Sequence, residues 1–117
     1  MATRRNSFDH AMIERDFSEA VNMTASELSR WLRTAESRSV GWKGTSDGLH
    51  ESVGHASGRW IVDILGKNRR ELTSDDYAQM RRVVGFIRRH LAQQPANMVT
   101  SRWRYSLMNW GHDPLEG

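Results

Sequence analysis

The sequence predicts an all-α fold: a compact single-domain bundle of about five helices over residues 1–117, with a long loop between the second helix and the third. Apolar residues recur at spacings of three and four in successive segments, which gathers them on one face of a helix. Hydroxyl or carboxylate residues stand at capping positions before several of those segments. No segment alternates over strand length, and no internal repeat is present.

Residues 1–6 are expected to be flexible. Over residues 7–21, Phe8, Met12, Phe17 and Val21 form an apolar stripe with Ala11 and Ala20, and Asn6 or Ser7 is the expected N-cap. Thr24 and Glu27 have capping-box spacing, and Leu28, Trp31, Leu32 and Ala35 then mark a second helix over residues 25–35. Residues 36–50 contain Ser37, Ser39, Gly41, Gly44, Thr45, Ser46 and Gly48 without an apolar run, which predicts the long loop. Trp42 and Lys43 are its residues suited to a ligand contact, but a plain connector is the simpler reading.

A third helix is expected from residue 51 or 52 to 66, burying Val53, Trp60, Ile61, Ile64 and Leu65. Gly54 and Gly58, four apart, suit close approach of a neighbouring element better than ligand contact. Thr73 and Asp76 cap a fourth helix over residues 74–93, which Pro95 ends. Its core face carries Tyr77, Met80, Val84, Ile87 and Leu91. Thr100 opens a fifth helix through Trp110, with Gly111 at the C′ position.

At this length one core is expected; its 38% hydrophobic residues include five tryptophans and three phenylalanines, each of which buries a large apolar area. The absence of cysteine excludes disulfides, thiol catalysis and thiolate metal sites, and fits a reducing interior, the cytoplasm or a nucleus. The basic residues 1–5 are not followed by an apolar run of signal or membrane-spanning length, so neither secretion nor membrane insertion is expected.

Charge is unevenly placed. The net charge is +3, yet between Arg59 and Arg104 ten basic residues face only Asp63, Glu71, Asp75 and Asp76, a local balance of +6. On the fourth helix Arg81 and Arg88 form one column and Arg82 and Arg89 another, each pair two turns apart. Gly85 lies between them and leaves a gap in the side-chain cover where a phosphate backbone or another chain can approach. Lys67, Arg69 and Arg70 follow the third helix, and Arg102 and Arg104 flank Trp103. Cations spread over adjacent elements suit a phosphate track, whereas pairing with the nearby carboxylates is the structural alternative.

The remaining chemistry is sparse. His50 and His55 are five apart, which points their rings away from each other on a helix, and the adjacent His112 and Asp113 lack further ligands, so no metal or cofactor is expected. Gly66-Lys67 closes a helix and lacks the upstream glycine of a phosphate-binding loop. Trp103, Tyr105, Leu107 and Trp110 make an aromatic last segment: Leu107 and Trp110 read as core, while Trp103 is open between core packing and base stacking.

Residues 51–59 (ESVGHASGR), Leu72-Thr73, Asp76-Tyr77, the stretch from Met80-Arg81 to His90-Leu91-Ala92-Gln93, and the ending 102–114 (RWRYSLMNWGHDP) resemble the domain of unknown function 3140 family, as does the region 17–32. Members are small proteins frequently labelled DNA-binding, and the resemblance implies that label without a mechanism or catalytic residues. Trp60 departs from it, standing where a basic residue is expected after Arg59.

The expected function is therefore DNA binding, mainly through the phosphate backbone and with little sequence readout. Arg81, Arg82, Arg88 and Arg89 are the expected centre, extended by Arg59, Lys67, Arg69, Arg70, Arg102 and Arg104. A helix-turn-helix in the third and fourth helices is disfavoured by the long connection between Gly66 and Thr73. The alternative is a protein-interaction or homo-oligomerisation module using the same basic face. A third reading, an enzyme on a small anionic substrate centred on His55 and Arg59, lacks a recognisable nucleophile and base, so no enzyme is expected.

Overall fold

Side-chain caps set most of the helix starts in this protein. In the computed structural model residues 2–41, 51–96 and 101–116 are described, with side chains from residue 9 onward. The described α-helices are α1 (Ala2–Ala20), α2 (Ala25–Trp31), α3 (Ala35–Ser39), α4 (Val53–Leu65), α5 (Ser74–Leu91) and α6 (Arg102–Asn109), with a 3-10 turn at Arg69–Glu71 between α4 and α5. Thr24 and Glu27 close a capping box on α2, and Thr73 and Asp76 close one on α5. Ser52 caps α4 and Ser101 caps α6 through the hydroxyl, each accepting the backbone N–H three residues on.

Several expectations are corrected. The first helix begins at Ala2 rather than at residue 7. The second stops at Trp31, because the Thr34 hydroxyl turns back to the Trp31 carbonyl at 2.7 Å and accepts the Ser37 N–H, which starts α3 at Ala35, the expected end of the second helix, and carries it through Ser39 into the segment read as loop. Trp42, Lys43 and the rest of residues 42–50 lie outside the described residues, as does Thr100. Met12, Val53, Leu65 and Leu91, assigned to apolar faces, are all exposed, Val53 to 49%. Each sits at the margin of its stripe or at a helix end, where no neighbouring element covers it.

The core lies where α1 runs along α5 and α2 packs on α4, with α6 touching α2, α3, α4 and α5. Phe17 and Val21 from α1 and its end meet Met80, Val83 and Ile87 of α5 in one apolar cluster, which Leu28, Ile61 and Leu107 continue. Each such side chain contributes about 1.5–3 kcal/mol on burial. Tyr77 fastens α5 to α1: its hydroxyl donates to Glu14 at 2.6 Å and its ring stacks on His10 at 3.8 Å. Burial, aided by the Glu14 carboxylate, pushes the Tyr77 phenol up to about 12.

Close approach of α4 to its neighbours depends on its glycines. A Cβ on Gly58 would stand 2.5 Å from the Asn109 carbonyl oxygen and 2.7 Å from Leu32, and one on Gly54 would stand 3.0 Å from the Trp110 ring nitrogen. Packing is thus the role of this pair. Gly111 follows α6 at φ +87°, the left-handed turn expected at C′.

That turn aims the chain's end back at the α1–α2 connection. His112 Nδ1 donates to the Ala20 carbonyl at 2.7 Å, and Asp113 exchanges backbone bonds with the Asn22 side chain at 2.8 and 3.0 Å. Arg104 donates from Nε and Nη2 to Asp113 at 3.1 Å each. The most recognisable stretch of the sequence is therefore a structural clasp.

Candidate nucleic-acid interface

Helix periodicity places Arg82 and Arg89 on the side of α5 opposite Met80, Val83, Val84 and Ile87 and puts Arg81 and Arg88 on the flank toward α1, and all four arginines are exposed. The two columns have different surroundings. On the α1 side, Arg81 and Arg88 border a groove of about 340 Å³ that Asp9, Met12 and Asp16 line from α1. Arg88 stands 3.7 Å from Asp16, which also lies 3.8 Å from Arg15, so this edge carries both signs of charge.

On the α4 side, Arg82 is held in place. The Oε1 of buried Gln79 accepts from its Nε and Nη2 at 3.2 and 3.0 Å, and the guanidinium lies 5.8 Å from the centre of the Trp60 ring. Trp60, the residue that interrupts the basic run after Arg59, thereby supports a cation on the neighbouring helix. Its indole N–H donates to Asp76 at 2.8 Å. Arg89 reaches back over Gly85, where an added Cβ would meet its Nη1 at 3.2 Å. Among the described residues, Arg81, Arg82 and Arg89 have no carboxylate partner within ion-pair distance.

The other basic residues divide by what they touch. Lys67 is consumed by structure: its ammonium donates to Asp76 at 2.7 Å and lies 3.5 Å from Asp63. Burial would raise the Asp76 pKa, but the bonds from Lys67, the Thr73 N–H and Trp60 outweigh it and hold the carboxyl well below its usual range. Arg104 is half-buried on Asp113. Arg69 pairs with Glu14 at 2.9 Å while remaining largely exposed. Arg70 is exposed, and Arg102 is exposed with one donor on the Ser39 carbonyl at 2.9 Å.

Arg59 stands apart from α5. It donates to both oxygens of Glu51, at 2.7 and 2.5 Å, and this contact, against burial and with help from His55, lowers the Glu51 pKa to about 2. Both ring nitrogens of His55 face oxygen acceptors, Nδ1 the Glu51 carboxylate and Nε2 the Leu32 carbonyl at 2.7 Å. Arg59 and His55 border a cleft that also brings in Arg33 and Arg38, two residues absent from the sequence-based site. Their shared location arises from the turn between α2 and α3, which linear spacing does not reveal.

Trp103, open from sequence, belongs to the packing. Its indole N–H donates to the His90 carbonyl at 2.6 Å and its ring lies against His90 at a centroid distance of 6.2 Å. Among the described residues there is no group of three His, Asp or Glu placed to hold a metal, and no helix is long and apolar enough to cross a membrane.

An all-α protein is the class that the fold defines. The chain belongs to the family described as Protein of unknown function (DUF3140), whose model matches residues 16–108. No curated protein and no solved structure matches it.

Proposed function

We propose that this protein binds DNA through the phosphate backbone, with α5 laid against the duplex and little base readout. The observation that carries the reading is the outer face of α5, where Arg81, Arg82, Arg88 and Arg89 are exposed and three of them have no carboxylate partner among the described residues. Arginines two turns apart lie about 10.5 Å apart along the axis, so the two members of each column contact phosphates at separate points rather than crowd one. The gap in side-chain cover at Gly85 is filled by the Arg89 guanidinium, which reaches back over it. Arg70 and Arg102 widen the positive surface, whereas Lys67, Arg104 and Arg69 contribute field more than contacts, since carboxylates occupy them, and Arg59 lies away from α5 with Nε and Nη2 on Glu51.

Titration of unrelated duplexes, with heparin as competitor, tests it. Similar affinity for duplexes of different sequence, falling steeply with salt, supports backbone recognition. Absence of binding at low salt removes the reading.

A second reading, self-association or binding of a protein partner, is favoured by one observation: Asp9 and Asp16 face the same groove as Arg81 and Arg88, beside exposed Met12. Mixed charge around an apolar residue suits a protein surface better than a polyanion. Sedimentation equilibrium tests self-association, which predicts a dimer without DNA, and competition of duplex DNA against a protein partner tests the other form.

A further inference from the structure

A second cationic site lies away from the arginine face of α5, in the cleft that α2 and the α2–α3 turn make with α4. The cleft has a volume of about 270 Å³ and an apolar floor of Leu32 and Val62. Arg33, Arg38 and Arg59 converge on it from three elements, with Ser29 beside them. No carboxylate is among the described residues that line it.

The hydrogen-bonding capacity of this lining is one-sided. Arg33 and Arg38 are exposed and have no side-chain partner among the described residues. Arg59 spends Nε and Nη2 on Glu51, which fixes the guanidinium and leaves Nη1 with its two N–H donors uncommitted. The Ser29 hydroxyl likewise has no partner there. His55, by contrast, has both nitrogens engaged, so it shapes the wall without offering an acceptor. Three guanidinium groups against the single Glu51 carboxylate behind Arg59 leave the cleft positive.

We propose that this cleft binds a phosphate group, held by Arg33, Arg38 and Arg59 with the Ser29 hydroxyl as a fourth donor. A tetrahedral dianion offers several acceptor oxygens to converging forks, which a carboxylate cannot match. The apolar floor takes the carbon side of a small phosphate ester. The chemistry is shared by a free phosphorylated metabolite and a nucleic-acid backbone, and neither source requires the α5 face.

Inorganic pyrophosphate is the probe, titrated by calorimetry into the full chain at low salt. The proposal predicts saturable binding near or below about 1 mM, weakened about tenfold or more in R33Q/R38Q and retained in R33K/R38K better than in the glutamine variant. Both positions are exposed, and unchanged circular dichroism and melting temperature establish that the variants fold. A variant with the four α5 arginines replaced by glutamine keeps the pyrophosphate site. Non-saturable binding, an unaffected R33Q/R38Q variant, or loss of the site in the α5 variant overturns the proposal. Duplex titration of R33Q/R38Q identifies the source: unchanged affinity assigns the cleft to a small phosphate ester, and a parallel fall assigns it to the nucleic-acid backbone.

Discussion

The Trp31 indole N–H donates to Asn109 Oδ1 at 2.8 Å, joining side chains 78 residues apart. The same oxygen accepts from the Ser37 hydroxyl at 2.5 Å, and Asn109 Nδ2 donates to the Ser37 carbonyl at 3.0 Å. Asn109 is buried, so it ties α6 to α2 and α3 with no water to replace it. Replacing it with alanine strands several buried partners. The expected loss is about 2–4 kcal/mol in urea unfolding, since each unsatisfied buried group costs about 1–3 kcal/mol and neighbours relax in part.

Two glycines predict opposite outcomes for the same substitution. G58A places a methyl 2.5 Å from a backbone carbonyl that cannot move alone, so it destabilises, by about 2 kcal/mol or more. G85A meets only the far end of exposed Arg89, at 3.2 Å, which swings away. It gains about 0.5–1 kcal/mol from helix propensity. Thermal melts of both variants check the pair.

Much of this was legible in the sequence where the signal is local. Thr24 with Glu27 and Thr73 with Asp76 announce their helices because a cap acts over three residues. Gly54 with Gly58 and the C′ role of Gly111 are readable for the same reason. The outer face of α5 follows from periodicity, since the apolar positions dictate where its arginines point. What escaped is set by tertiary structure. Leu91 and Val53 fit their stripes but lie where nothing covers them. The convergence of Arg33, Arg38 and Arg59 depends on how α2 meets α4, and the Asn109 bonds span most of the chain.

Acid should destabilise the fold over a defined window. Glu51, Asp76 and Asp113 all have folded-state pKa values below their ordinary ones: Arg59 dominates for Glu51, while for both aspartates donors outweigh burial. Such groups contribute stability that is fully present above the unfolded carboxylate range and is lost as pH falls through the folded values. These carboxylates should therefore hold the melting temperature until pH falls to about 4.5, the ordinary Glu value, and let it fall toward pH 2, where Glu51 protonates; a shallower fall below pH 6.5 comes first from His90, whose pKa burial depresses. D76N should melt lower at pH 7 and lose less on acidification.

Lys67 separates structure from binding. Its contact with Asp76 neutralises a carboxylate only 2% exposed, so K67Q should lower the melting temperature clearly. Its effect on duplex affinity should be small, because the ammonium is already committed. R89Q should do the reverse, weakening duplex binding with little change in stability, because exposed Arg89 has no carboxylate partner among the described residues.

The most direct test of the central claim is fluorescence anisotropy of a labelled duplex across a salt series, comparing the wild-type chain with R81Q/R82Q/R88Q/R89Q. Four phosphate contacts predict that log K falls by about 3–4 per tenfold rise in salt for these residues, and the variant should bind weakly at every salt concentration, with a slope flattened by that amount. A variant that folds and binds with unchanged affinity and slope would contradict the assignment of α5 as the DNA-binding face.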